Sequence, residues 1–182
     1  MDTLSKTDYA ILGMLSITSM SGYEIRQMIQ QSTANFWSES YGQLYPALAK
    51  LVKLGLINFK LAQEKQAQSK KIYQLNPSGS KELKQWLALE PTKSIIRNEL
   101  LLKLFFGANV SSQVNLDHVQ HEADQTAARL QEFKLARTRL IKTHPDSPHL
   151  EYWLMTLQYG YDLAAAKLKW CKNFIKKLEK KI

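Results

Sequence analysis

The chain has 182 residues, 45% of them hydrophobic, and a single cysteine, Cys171. These values predict one or two globular domains and exclude an intramolecular disulfide or a cysteine-based zinc site. No stretch reaches the roughly eighteen apolar residues that span a bilayer, and no apolar signal segment opens the chain, so we expect a cytoplasmic protein with no membrane partner. The net charge of +9 is concentrated at the two ends, residues 1–89 and 165–182. A basic N-terminal region is consistent with a polyanionic partner.

A first helix is predicted over about residues 6–16, because residues 9–15 are almost wholly apolar. A helix that is apolar on more than one face packs on more than one side. Two interpretations of the second side remain open, the core of its own domain or a partner subunit.

A second helix is predicted from Ser21 to about Ser32. Ser21 and Glu24 have the spacing of a capping box, in which each side chain bonds the backbone of the other residue. The connection that follows is longer than a minimal helix-turn-helix turn, and we expect Phe36 and Trp37 to pack it against the domain.

The stretch 38–57 has the features of a recognition helix. Ser40 and Gln43 match a second capping box, positions 44, 48, 51 and 54 form an apolar face, and Gly55 stands where a C-terminal cap belongs. The free side, which includes Ala47, carries hydrogen-bonding groups first and cations behind, as suits a major groove. Pro46 predicts a tight or irregular first turn. The candidate DNA-binding residues here are Tyr41, Gln43, Tyr45, Pro46, Lys50 and Lys53.

A β-hairpin is predicted next, because residues 56–61 and 71–75 alternate with period two around a polar stretch. Its tip adds three candidate phosphate contacts, Lys65, Lys70 and Lys71. The alternative is that the tip is only a solvated loop.

A fourth helix, residues 77–89, follows the N-cap signal of Asn76 and Pro77. Residues 90–94 interrupt the pattern, and we place the domain boundary there. A short apolar helix, residues 97–107, comes after it.

Two long helices are predicted to form an antiparallel hairpin around the breaker 143–148, with Ser147 as the second helix's N-cap. The first has an apolar seam that runs from Leu116 and is weakened by Thr126 and Arg137. The second keeps a four-three alternation of apolar residues for more than four heptads, which is typical of a coiled coil. We predict that this seam joins two subunits. Its candidate dimerisation residues are Leu150, Leu154, Leu157, Tyr161, Leu168, Ile175 and Leu178.

Other chemistry is weakly supported. There is no nucleophile elbow, phosphate loop or zinc-protease motif, so we predict neither an enzyme nor a cofactor. His118, His121 and Glu122 share a helical surface, but a solvated face explains them better than a metal site. Trp153 and Trp170 are candidate contacts for a small aromatic or hydrophobic effector, with simple packing as the alternative. Cys171 lies on the seam and is interpreted as a small core residue.

Three motifs over residues 1–89 carry a resemblance to a known family. They are Gly22-Tyr23-Glu24-Ile25, then Gly42-Gln43-Leu44-Tyr45-Pro46-Ala47-Leu48 with Leu51 and Gly55-Leu56-Ile57, then Lys71-Ile72-Tyr73-Gln74-Leu75 with Gly79. Together they resemble the PadR family of bacterial transcriptional regulators, and the helical remainder is similar to the subgroup with a virulence-activator-type C-terminal domain. The resemblance implies a winged helix-turn-helix, a dimer and a repressor.

The sequence therefore predicts a mainly α fold with a small β-hairpin wing. Residues 1–89 are expected to form a winged helix-turn-helix DNA-binding domain and residues 95–182 a helical dimerisation domain. The expected function is a homodimeric regulator that binds a palindromic double-stranded operator. The alternative is an adaptor that no longer reads DNA and recruits a protein through its C-terminal helix.

Overall fold

The computed structural model describes residues 3–33, 36–37, 41–62, 70–93 and 97–181. The chain divides into two compact units, Met1–Lys93 and Ser94–Ile182. Ser40 and Lys65 lie outside the described residues, and for Tyr41 only the place of its backbone in a helix is described. No helix in the described ranges is long and apolar enough to cross a membrane.

The first unit contains four helices and three short strands in its described ranges. They are α1 (Lys6–Ile17), β1 (Met20–Ser21), α2 (Gly22–Ser32), α3 (Tyr41–Lys53), β2 (Ile57–Ala62), β3 (Lys70–Leu75) and α4 (Pro77–Leu87). This is the predicted winged helix-turn-helix with one added strand.

Local signals set the ends of these helices. At the start of α2 the Ser21 hydroxyl accepts from the Glu24 amide, and the Glu24 carboxylate accepts from the Ser21 amide, which confirms the predicted capping box. Gly55, at φ 68°, ends α3. The Leu56 amide donates to the Leu51 carbonyl over 3.0 Å, which is the hydrogen bond of a Schellman cap.

The wing is a three-stranded antiparallel sheet with the order β1-β3-β2. Strands β2 and β3 form the predicted hairpin, and they pair from Ile57 opposite Leu75 to Ala62 opposite Lys70. The sequence did not reveal β1, because two residues are too short to show a period. It places Met20 opposite Tyr73, and so joins the entry of α2 to the wing.

The core of the first unit collects residues from all its larger elements. Its least exposed apolar side chains are Ile11, Leu12, Ile25, Leu48, Leu51 and Ile57. Burying one such side chain stabilises the fold by about 1.5–3 kcal/mol.

Three predictions about which side chains are buried were wrong. Ala47 is buried, because it lies one turn after Leu44 and its small side chain lets α3 pack closely on its neighbours. Leu54 is exposed, since it falls in the turn where the helix ends. Phe36 is also exposed and does not pack the loop down.

The second unit contains three helices in its described part: α5 (Glu99–Phe105), α6 (Ser112–Thr143) and α7 (Leu150–Leu178). Helix α6 begins four residues before the first predicted seam residue, Leu116, because the Ser111 hydroxyl caps it by accepting from the Val114 amide. Helix α7 starts later than predicted. Ser147 is not its N-cap, since its hydroxyl accepts from the His149 amide within the preceding turn.

Helices α6 and α7 form the predicted antiparallel hairpin. Val119, Ala123 and Cys171 are the centre of its core, with Leu168 and Ile175 packed against them. Asn115, Thr126 and Phe133 are also buried on α6, whereas the predicted seam residue Arg137 is exposed.

Candidate nucleic-acid interface

Helix α3 turns a polar surface to solvent. Leu44, Leu48 and Leu51 enter the core on one side. Gln43 and Pro46 are exposed on the other, and Tyr45 is 57% exposed. The amide and the phenol therefore stand near the N-terminal end of α3, where a recognition helix presents groups to base edges.

Tyr45 is held where α2, α3 and the wing meet. A Cβ atom on Gly22 would lie only 2.9 Å from Cε1 of the Tyr45 ring. Burial raises the pKa of Tyr73 in β3, and the neighbouring Tyr45 adds to that rise. The ring of Tyr45 thus rests on a residue without a side chain, and its hydroxyl group stays outside the core.

The two lysines of α3 differ in their surroundings. Lys53 is exposed near the end of the helix. Lys50 instead lies 2.9 Å from the Asp8 carboxylate of α1 and 3.1 Å from the carbonyl oxygen of Thr3. The structure therefore places the Lys50 amino group against α1, in contrast to the free cation that the sequence suggested.

Lysines at the base of the wing also differ. Lys70 pairs with Glu24 of α2 over 3.2 Å. Lys71 is exposed, with its amino group 4.6 Å from the centre of the Phe59 ring. Both side chains are accessible, but the Lys70 amino group is held by a carboxylate, whereas that of Lys71 lies over an aromatic ring.

Glu24 links the wing to α2 through one carboxylate. The Ser21 hydroxyl and amide donate to it, each over 2.7 Å, and Lys70 approaches from β3. The Ser21 hydroxyl, the Ser21 amide and Lys70, in that order, lower the pKa of Glu24 to about 2.

Two further polar residues were missed by sequence reasoning. Tyr23 is 57% exposed beside Gly22, and the Gln27 amide donates to its hydroxyl over 2.9 Å. The four-residue spacing of a phenol and an amide on the exposed side of α2 is the signal that could have found them.

The heptad seam of α7 faces α6 of the same chain. Leu154, Leu157 and Tyr161 line a cleft of about 140 Å³ whose other wall includes Phe133 of α6. Leu168 and Ile175 pack around Val119 as described above. Leu150 is half-buried and Leu178 is buried. The seam is thus occupied within the chain, and its predicted role between subunits stays a prediction.

A second apolar stripe lies on the outer face of α7. Its members follow each other at steps of three, four, four and seven residues and are between 36% and 67% exposed. They are Tyr152, Met155, Tyr159, Leu163 and Trp170. We call this set the outer stripe. An apolar row of this length is uncommon on the surface of a monomer.

The two effector candidates do not share a site. Trp153 lies between His144 and His149, with ring centres 5.4 and 5.6 Å away, whereas Trp170 stacks on Phe174. Seventeen residues of one helix separate them by about 25 Å. A larger cleft, of about 420 Å³, lies elsewhere, between α5 and the start of α6. It is lined by Leu102, Lys103, Phe106, Val110, Val114, Asn115 and His118.

The candidate metal ligands on α6 are engaged with other groups. Glu122 pairs with Lys167 over 2.7 Å, and the His121 ring lies 2.8 Å from the Gln125 amide. Within the described ranges no three His, Cys, Asp or Glu side chains are grouped as metal ligands would be.

Comparison with known proteins matches both units. Residues 11–85 match the model of the transcriptional regulator PadR-like family, and residues 96–179 match the model of the virulence activator alpha C-terminal domain. The family is one of transcriptional regulators, not of enzymes.

Individual relatives span nearly the whole chain. The negative transcriptional regulator PadR of Bacillus subtilis is 28% identical over 94% of this chain and 97% of that protein. A crystal structure of Bacillus subtilis PadR in complex with operator DNA superposes with a TM-score of 0.82 at 27% identity, covering 94% of this chain and 98% of the other. The same protein in complex with p-coumaric acid gives a TM-score of 0.75 at 27% identity and the same coverage. The chain therefore belongs to the PadR-like family of transcriptional regulators, in the subgroup with a virulence-activator-type helical C-terminal domain.

Proposed function

We propose that this regulator is a cytoplasmic repressor that binds a palindromic operator as a homodimer. The observation that carries the proposal is the exposed N-terminal end of α3, where Gln43 and Tyr45 stand clear of the core. The Bacillus subtilis relative supports it, since that protein is named a negative regulator and has been crystallised with operator DNA. In this assignment residues 1–89 bind DNA and residues 95–182 dimerise.

We divide the candidate DNA-binding side chains into those that contact bases and those that contact the phosphate backbone of DNA. We assign base contacts to Gln43 and Tyr45, because an amide pairs bidentately with adenine and a phenol reaches the groove floor. Lys53 and Lys71 are assigned to phosphates, since both cations are exposed. Lys50, Lys70 and the remaining candidates of the sequence, Tyr41, Pro46 and Lys65, are not needed for this assignment.

The test is selection of bound fragments from the source genome, followed by binding to the selected duplex and to a random duplex over a range of salt. A repressor of this kind binds the selected duplex about 10³-fold or more tightly, and affinity for both falls steeply with salt. An adaptor that no longer reads DNA would show no preference between the two.

The dimer is assigned to the outer stripe of α7. The seam that the sequence favoured packs on α6 of the same chain, where most of its residues are half-buried. It therefore offers less exposed apolar surface to a second subunit than the outer stripe does. The outer stripe offers five large apolar side chains along about 27 Å of helix. A second copy of the same stripe is its simplest complement, because a two-fold axis brings one patch onto itself.

We also propose that a small aromatic acid regulates binding, because the Bacillus subtilis relative has been crystallised with p-coumaric acid. The cleft between α5 and α6 has a volume suited to such a molecule, apolar walls and two basic side chains, His118 and Lys103, of which Lys103 also pairs with Glu99 over 2.8 Å. Calorimetric titration with p-coumaric acid should detect binding to the wild type and none to Val114→Trp, whose ring fills the cleft. Binding that survives this substitution would move the site elsewhere.

A further inference from the structure

The first turn of α1 contains the carboxylate of Asp8, a residue that is not among the DNA contacts proposed above. Asp8 is only 1% exposed. Its Oδ2 atom accepts from the Ser5 amide over 2.7 Å, which completes the capping box of α1. The same oxygen lies 2.9 Å from the amino group of Lys50 in α3. One buried atom thus closes α1 and ties α3 to it.

This ion pair is well suited to fix the position of a helix. Lys50 also donates to the Thr3 carbonyl over 3.1 Å, so its amino group has two partners on the segment that starts α1. Asp8 is buried whereas Lys50 is partly exposed. Separating the two leaves the Asp8 carboxylate buried without a compensating charge, and this cost opposes movement of α3 away from α1. A hydrophobic contact is less directional and would permit sliding.

Because of the position of Lys50 along α3, the Asp8–Lys50 ion pair can affect the base contacts made at the N-terminal end of this helix. Gln43 lies seven residues before Lys50, about 10 Å along the helix axis. A tilt of about 5° around Lys50 would move Gln43 by about 1 Å at this distance. Hydrogen bonds to base edges span only about 0.5 Å between their short and long limits, so such a tilt breaks them.

We infer that Asp8 is a positioning residue for DNA reading, which acts through Lys50 to set the tilt of α3. The inference rests on the proposed function, since it explains how the helix is held for base contacts. It also assigns Lys50 a task other than phosphate binding.

The experiment compares Asp8→Asn and Lys50→Met with Lys53→Met, a matched control on the same helix with an exposed amino group. Three quantities are measured: amide hydrogen exchange across residues 41–53 without DNA, the ratio of operator to random-duplex affinity, and the slope of log affinity against log salt. Lys50→Arg, which keeps the charge, is the rescue variant.

Asp8→Asn and Lys50→Met should each speed exchange in α3 more than in α2 and lower the operator-to-random ratio about tenfold. The double variant should do no more than either single one, because both remove the same pair. Lys50→Met should leave the salt slope unchanged, whereas Lys53→Met should lower it by about one unit and keep the ratio. Lys50→Arg should restore both exchange and ratio.

Two results would overturn the inference. If Lys50→Met lowers the slope as Lys53→Met does and keeps the ratio, Lys50 is a phosphate contact. If Asp8→Asn lowers global stability but weakens operator and random DNA equally, Asp8 only caps α1. The exchange measurement needs no DNA, so it still decides the positioning role if no operator is found and the proposed function fails.

Discussion

The Glu24 carboxylate accepts two hydrogen bonds from Ser21 and forms an ion pair with Lys70. Since the Ser21 bonds and the Lys70 pair favour the ionised carboxylate over the neutral form, its contribution depends on pH. Its pKa is about 2 in the folded chain against an ordinary value of 4.5. A carboxyl group with a lowered folded pKa stabilises the fold above its unfolded pKa and loses that contribution as the pH falls towards the folded one.

We therefore expect the stability difference between wild type and Glu24→Gln to be largest above about pH 5 and to shrink between about pH 5 and pH 2. Urea unfolding at a series of pH values measures it. Glu132→Gln, on the exposed surface of α6, is the control and should show no such trend. A difference that stays constant with pH would mean that Glu24 acts only through its shape.

Gly22 provides the second prediction at this scale. A methyl group on Gly22 would lie 2.9 Å from the Tyr45 ring, and the ring can turn away because its outer part is exposed. Gly22→Ala should therefore shift the sequence preference of the protein, by about 1–3 kcal/mol at the affected base pair, with a small change in melting temperature. Competition binding with operators altered at single positions measures the preference. Unchanged preference would remove Tyr45 from the contacts to bases.

At the scale of elements, the two neighbouring lysines of the wing are expected to have different roles. Lys71 is exposed and Lys70 pairs with Glu24. Lys71→Gln should lower the salt slope by about one unit for operator and random DNA alike. Lys70→Gln should leave the slope nearly unchanged and cost at most about 1 kcal/mol of stability, as expected of an exposed pair. Equal losses of slope would mean that Lys70 leaves Glu24 for a phosphate.

Helix α7 presents two apolar faces with opposite predicted roles. Leu168 belongs to the seam packed on α6, and Leu163 belongs to the outer stripe. Leu163→Lys should yield a folded monomer, whereas Leu168→Lys should reduce helical content, because an unpaired charge within the hairpin costs several kcal/mol. Sedimentation and circular dichroism separate the two outcomes. If Leu163→Lys stays dimeric, the outer stripe is not the interface.

The sequence predicted most of the helices and strands, but it did not predict features that depend on contacts between residues distant in the sequence. The capping box of α2, the Gly55 cap and the two strands of the β2–β3 hairpin are signalled by neighbouring residues, so they could be predicted. The heptad seam was also detected, but periodicity cannot tell whether its partner is α6 or another subunit. Lys50 was placed at the surface because its partner, Asp8, is 42 residues away and no local pattern connects them.

At the scale of the whole molecule, the proposed homodimer predicts the geometry of the operator. One recognition helix reads too few base pairs to find a site in a genome, whereas two read half-sites together. We expect selected fragments to contain inverted repeats whose centres are separated by about 10 base pairs, or a multiple, since the helices must meet the same face of the duplex. Inserting five base pairs between the repeats should abolish specific binding in a mobility-shift assay. Retained binding would indicate that each subunit binds alone.

The strand order β1-β3-β2 leaves β2 as an edge strand of the described sheet. Such an edge exposes unpaired backbone groups and invites strand addition by another molecule, which leads to aggregation. Phe59 and Leu61 are exposed along β2, and Lys60 stands between them. A charge in the middle of an edge strand discourages this pairing, because a second copy would bring like charges together. We therefore expect Lys60 to oppose edge-to-edge association of the chain when it is free of DNA.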